Sequence, residues 1–89
     1  MMQAHVFISG FVQGVGFRQF IRTNARKLGV TGWVRNIPGD KVEAVFQGDR
    51  EMIEQLITLC KRGPFLAEVK DVSVVWEEAG ERFTAFAIH

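Results

Sequence analysis

Two stretches of the sequence repeat apolar residues every three or four positions, and each lies between stretches that alternate or run apolar. The first carries Phe17, Phe20, Ile21, Ala25 and Leu28, with Arg18, Gln19, Arg22, Thr23, Arg26 and Lys27 filling the other side. The second carries Met52, Ile53, Leu56 and Cys60. This spacing draws one apolar stripe along a helix, and each stripe must bury against another layer. "HVFISGFV" (5–12) is β-branched and aromatic and reads as a buried strand. "TGWVRN" and "KVEAVFQG" read as two strands around "IPGD", where Pro38-Gly39-Asp40 has hairpin chemistry. "AEVKDVSVVW" alternates as a fourth strand, and "FTAFAIH" supplies a short fifth. The order is strand, helix, strand, strand, helix, strand. That is an α+β sandwich of βαββαβ type, its sheet antiparallel or mixed. Both helices lie on one face, and a short extra strand closes the chain.

The helix ends agree with this division. Gly29 is suited to ending the first helix. Asp49 is placed to cap the second, with Glu51 and Glu54 near its start and Lys61 and Arg62 near its end, as the helix dipole favours. Gly63-Pro64 stops it.

No repeat, linker or low-complexity tract interrupts the chain, so its 89 residues read as one domain spanning 1–89. With 47% hydrophobic and 24% charged residues, the composition is that of a globular protein. A net charge of +1 lacks the basic excess needed to neutralise a nucleic-acid backbone, so no nucleic-acid partner is expected. The single Cys60 allows no internal disulfide and no thiolate cluster, which points to a reducing compartment. "MMQAHVFISG" shows neither a cationic leader nor a long apolar run. A cytoplasmic protein, monomeric and without a membrane partner, is the expectation.

Chemistry concentrates in "FVQGVGFRQF" (11–20). A right-handed crossover through the first helix makes the first two strands parallel, so both finish at one edge of the sheet. The Gly14–Arg18 loop, Arg35 and Asn36 should therefore become neighbours. Successive N–H groups in a glycine-containing turn can converge on an anion, and this turn feeds a helix N-terminus. Arg18 adds a planar guanidinium suited to phosphate or carboxylate. By pattern alone the stretch fits either this anion site or a tight strand-to-helix turn with a solvated arginine. It is not a Walker loop, because no Lys-Ser or Lys-Thr follows the glycines. It is not a dinucleotide fingerprint, because Gln19 stands at the third glycine position. Asn36 before a turn serves turn chemistry in most proteins, yet beside this loop its carboxamide can both accept from and donate to a water.

Other polar residues take plainer roles. His5 lies in a strand and His89 is the last residue, which by topology puts neither near the loop, and no metal-ligand spacing is present. Cys60 reads as a core thiol. Arg22, Arg26 and Lys27 form a solvated helix face, and Trp33 and Trp76 serve packing.

"GFVQGVGFRQF", then "LGVTGWVRN", "VEAVFQG", "GP" and a closing "FAI", together closely resemble the acylphosphatase family in order and spacing over nearly the whole chain. The resemblance implies a ferredoxin-like fold and hydrolysis of the carboxyl–phosphate bond of acyl phosphates, without metal or cofactor. The substrate would be a small-molecule acyl phosphate, with inorganic phosphate as product and inhibitor. Carried over by motif, the phosphate-binding arginine falls on Arg18 and the water-orienting asparagine on Asn36. The cradle falls on the backbone of Gln13, Gly14, Val15, Gly16, Phe17 and Arg18. The "IPGDK" turn and short C-terminus resemble what varies within the family.

Two other classes compete. An RNA-recognition domain shares the βαββαβ layout, but its glycine-aromatic motif belongs on the third strand, which here reads "KVEAVFQG" with one aromatic. A non-catalytic domain of the same fold that binds a small anion would differ from an enzyme only in turnover.

Overall fold

A computed structural model describes residues 1–89. Strand β1 runs Met2–Phe11, helix α1 Phe17–Leu28, β2 Thr31–Ile37, β3 Lys41–Gln47, α2 Arg50–Arg62, β4 Glu68–Glu78 and β5 Phe86–Ile88. The five strands form one sheet in the order β4-β1-β3-β2-β5. β1 pairs antiparallel with β3 and β4, β2 pairs antiparallel with β3, and β5 lies parallel to β2. Because β1 and β2 both oppose β3, they run the same way and end at one edge. Ser9 and Ile37 both stand opposite Lys41 there. The expected α+β architecture is the one observed.

Period-two alternation sorts the sheet into two faces. Ala4, Val6 and Ile8 of β1, Val34 of β2 and Val42, Ala44 and Phe46 of β3 are all fully buried and meet the helices. From α1 come Phe17, Ile21 and Ala25, and from α2 come Ile53, Leu56, Ile57 and Cys60. Ile57, rather than the expected Met52, completes the α2 stripe, because 53, 56, 57 and 60 share one face at helical spacing. Met52 packs at the margin. Asp49 occupies the α2 N-cap position, but its side chain makes no capping hydrogen bond; only its main-chain oxygen accepts, from the Ile53 N–H at 3.0 Å. Arg22 departs from the solvated reading. It is half-buried, and its Nε is buried without a partner.

The connection from β4 to β5 must cross from one edge of the sheet to the other. A buried amide holds it. Gln47 Nε2 donates to the Glu81 main-chain oxygen (2.6 Å) and to Gln3 Oε1 (2.8 Å), and the Phe83 N–H donates to Gln47 Oε1 (3.1 Å). Pinned there, the chain returns along β2, pairing Gly32 with Phe86 and Val34 with Ile88. The Gly32 N–H also donates to the Ala85 oxygen at 3.0 Å. β5 therefore ends beside the edge where β1 and β2 end. No helix is long and apolar enough to cross a membrane.

Candidate active site

The turn between β1 and α1 needs two left-handed residues in close succession. Gly14 has φ 74° and Gly16 φ 78°, and Gly16 is the α1 N-cap. Any side chain would resist that conformation. Open space surrounds the position of a Cβ at each, so it is the backbone, not crowding, that calls for glycine. The first α1 hydrogen bond runs from the Phe20 N–H to the Gly16 oxygen at 3.0 Å. The N–H groups of the residues before Phe20 open the helix with no carbonyl of a preceding turn to bind.

Two side chains fix this turn from below and beside. Phe17, 1% exposed, anchors the start of α1 in the core and meets Phe20 edge-on at 6.0 Å between ring centres. Gln13 Nε2 donates to the main-chain oxygens of Ile37 (2.8 Å) and Lys41 (2.9 Å). The glycine loop is thereby tied to the β2–β3 hairpin.

Arg18 and Asn36 line the same cavity, of about 260 Å³, with Gly14, Gly16 and Phe17. The side chains of Gln13 and Val15 are engaged elsewhere: Gln13 is the brace just described, and Val15 packs against the core. Asn36 lies within β2, opposite Val42, before the turn begins at Pro38. The turn therefore does not account for it. Arg35, expected beside the loop, points to the other face of the sheet, as alternation dictates for the neighbour of Asn36. Its Nε donates to Glu43 Oε1 at 2.6 Å, and its guanidinium lies over Trp33 at 5.3 Å.

The cavity has further walls that the sequence reading left out: Val12, Gln19 and Ile88. His89 also corrects an expectation. Placed far from the loop by sequence topology, it comes to Arg18, whose Nη1 donates to the His89 main-chain oxygen at 3.2 Å. The His89 N–H donates to the Val34 oxygen at 2.8 Å, and its ring stacks on Trp33 with centres 5.4 Å apart. The parallel pairing of β5 with β2 causes this, and a three-residue strand does not announce its partner.

A backbone turn of bare N–H groups, a half-buried arginine and a carboxamide thus face one opening. The acylphosphatase family model matches residues 4–88. The chain belongs to the acylphosphatase family. It is 51% identical over 86 residues to an acylphosphatase of Pelotomaculum thermopropionicum, covering 97% of this chain and 94% of that one. An acylphosphatase of Thermococcus kodakarensis is 56% identical over 77 residues, covering 86% of this chain and 85% of that one. Among solved structures, acylphosphatase from Bacillus subtilis superposes with a TM-score of 0.95 at 32% identity, covering 100% of this chain and 99% of that one. The chain is a hydrolase of this family, on the ferredoxin-like fold.

A second polar cluster in this acylphosphatase-family chain lies on the sheet face away from the helices. Glu43, 7% exposed, receives Arg35 at 2.6 Å and faces His5 Nε2 at 2.6 Å. Burial raises its carboxyl, but the His5 and Arg35 hydrogen bonds and charges outweigh it and hold Glu43 below the usual carboxylate value. His5 stacks on Phe7 at 4.7 Å and belongs to this cluster, not to the cavity. Cys60 lies in the core, where burial pushes its thiol up to about 12.

Proposed function

We propose that residues 1–89 act as one acylphosphatase domain that hydrolyses acyl phosphates to a carboxylate and inorganic phosphate through Arg18, Asn36 and the Gln13–Arg18 backbone. The observation that carries this is the convergence of Arg18 and Asn36 on one cavity that Gly14 and Gly16 also line. The phosphoryl oxygens sit on the loop N–H groups and the Arg18 guanidinium, where the helix N-terminus favours negative charge. Asn36 holds the attacking water. Its oxygen forms a bond to phosphorus as the bond from phosphorus to the acyl oxygen breaks, and the electron pair leaves with the carboxylate. A phosphoryl oxygen takes the water's proton. Because the transition state is loose and the leaving group is a good one, positioning and charge stabilisation suffice without a general acid or strong base.

The substrate is a small acyl phosphate, and the protein works as a cytoplasmic monomer with neither nucleic acid nor membrane as partner. Supporting the cytoplasm is the one buried free thiol. Turnover of benzoyl phosphate by the wild-type chain, set beside Arg18→Ala, tests the reading. Rapid loss of the acyl phosphate that vanishes in the variant is expected. Phosphate binding without turnover would make this a non-catalytic anion-binding domain.

A further inference from the structure

The open face of the sheet, away from the helices, carries a second cavity of about 350 Å³ that shares no lining residue with the first. Its walls include Phe7, Ser9, Ile37, Lys41, Asp71 and Ser73. Alternation puts all six side chains on that face. Phe7 and Ser9 follow His5 in steps of two, and Ile37 and Lys41 lie two residues from Arg35 and Glu43, which with His5 form the polar cluster there. On β4, Val72 and Val74 pack against the core, so Asp71 and Ser73 point away from it.

The register sets four of them in one line across the sheet. Ile37 stands opposite Lys41, Lys41 opposite Ser9, and Ser9 opposite Asp71. In the next line Phe7 stands opposite Ser73. Lys41 and Asp71 are thus two strand spacings apart, about 10 Å, with Ser9 between them. They do not pair with each other, and neither has another ion partner in the chain. The neighbouring Arg35 and Glu43 neutralise one another at 2.6 Å. One cation and one anion therefore face the cavity from opposite sides, each uncompensated. The surface between them is partly apolar. The Phe7 ring is half-buried and stacked on His5 at 4.7 Å, and Ile37 adds hydrocarbon beside Lys41.

We infer that this cavity binds a free α-amino acid, in its zwitterionic form, with a bulky apolar side chain. This site is independent of the acyl-phosphate reading. The ligand carboxylate accepts from Lys41 Nζ and the Ser9 hydroxyl, and its ammonium donates to the Asp71 carboxylate and to Ser73 Oγ. A charge-assisted hydrogen bond takes about 2.8 Å at each end, which leaves room between Lys41 and Asp71 for the short span from ammonium to carboxylate across an α-carbon. The side chain lies on the Phe7 ring. A simple anion would leave Asp71 unpaired beside it, and a simple cation would leave Lys41 so. A ligand of both signs is the one these charges select.

The test is a ¹H–¹⁵N NMR titration of the full chain with L-phenylalanine. Saturable shifts are expected at the amides of Phe7, Ser9, Lys41, Asp71 and Ser73. N-acetyl-L-phenylalanine lacks the ammonium and L-phenylalaninamide lacks the carboxylate. Each should bind at least about tenfold more weakly, the scale of one hydrogen bond between charged groups. Lys41→Gln and Asp71→Asn should each weaken L-phenylalanine about three- to tenfold. Both positions are exposed, and the same spectra verify the fold of each variant. Absence of saturable shifts at these residues overturns the site. Equal affinity for the three ligands, or wild-type affinity in either variant, overturns it too, because the cavity would then be reading an apolar ring and not the two charges.

Discussion

Arg18 Nη1 donates to the main-chain oxygen of His89, 3.2 Å away across the gap between α1 and the end of β5. The contact uses the backbone of residue 89, while its ring serves to stack on Trp33. The guanidinium is thus braced by the end of β5. His89→Ala should keep the brace but lose the stack that steadies it. The expected cost in kcat/KM is about two- to tenfold, the range of one aromatic contact. A thousandfold loss in folded His89→Ala would mean that the imidazole itself takes part in the chemistry.

Glu43 links pH to stability. Its carboxyl titrates below the ordinary value near 4.5 in the folded chain, so the folded state binds its proton less readily than the unfolded one. The stabilisation is therefore fully present above about pH 4.5 and is lost as pH falls through the lower folded value. Glu43→Gln removes the charge and should destabilise the protein at pH 7 by about 1–2 kcal/mol. It should also flatten the acid limb of a denaturation midpoint plotted against pH. An acid limb identical to wild type would show that another carboxylate carries it.

How far the sequence revealed these features depended on the range of the interaction. Helix α1 from Phe17 to Leu28 was legible because its stripe and its glycine stop are local, and so was the loop that precedes it. The place of Asn36 on the cavity was legible through its motif; spacing alone left it as a turn residue. Arg35 was misplaced although alternation with Asn36 was available to place it. His89 and Ile88 were missed for a different reason. Their places at the cavity arise from β5 pairing with β2 and from the Gln47 amide that pins Glu81 and Phe83, contacts far apart in sequence that no periodicity encodes.

Cys60 should be inert in the native protein. Fully buried, with its thiol pushed up to about 12, it offers almost no thiolate at neutral pH. Iodoacetamide should modify it only after unfolding in denaturant. Cys60→Ala should retain turnover and lose about 1 kcal/mol of stability by chemical denaturation. Fast native-state alkylation that abolishes activity would place the thiol at the surface and in the mechanism.

If the glycine loop holds the phosphoryl group as proposed, inorganic phosphate competes for the same cradle and should raise KM and leave kcat alone. On the same proposal Arg18 and the backbone N–H groups stabilise the charge, so exhaustive chelation should leave the rate unchanged. Steady-state kinetics with and without a chelator check both points. A purely noncompetitive pattern, or activity lost on chelation and restored by Mg²⁺ or Zn²⁺, would contradict this division of labour.

The most direct test separates Arg18 from Asn36 by role. In the proposed mechanism Arg18 faces oxygens present in both bound phosphate and the transition state, so Arg18→Ala should weaken phosphate binding and cut kcat by roughly a thousandfold. In the proposed mechanism Asn36 acts on the attacking water, which is no part of phosphate binding. Asn36→Ala should cut kcat by a comparable factor while phosphate Kd stays within about threefold, under about 1 kcal/mol. The measurement is calorimetric phosphate affinity beside kcat in both variants, with folding verified by circular dichroism. Loss of turnover in Asn36→Ala with phosphate affinity intact is the expected result; near-normal turnover in folded Asn36→Ala would contradict it.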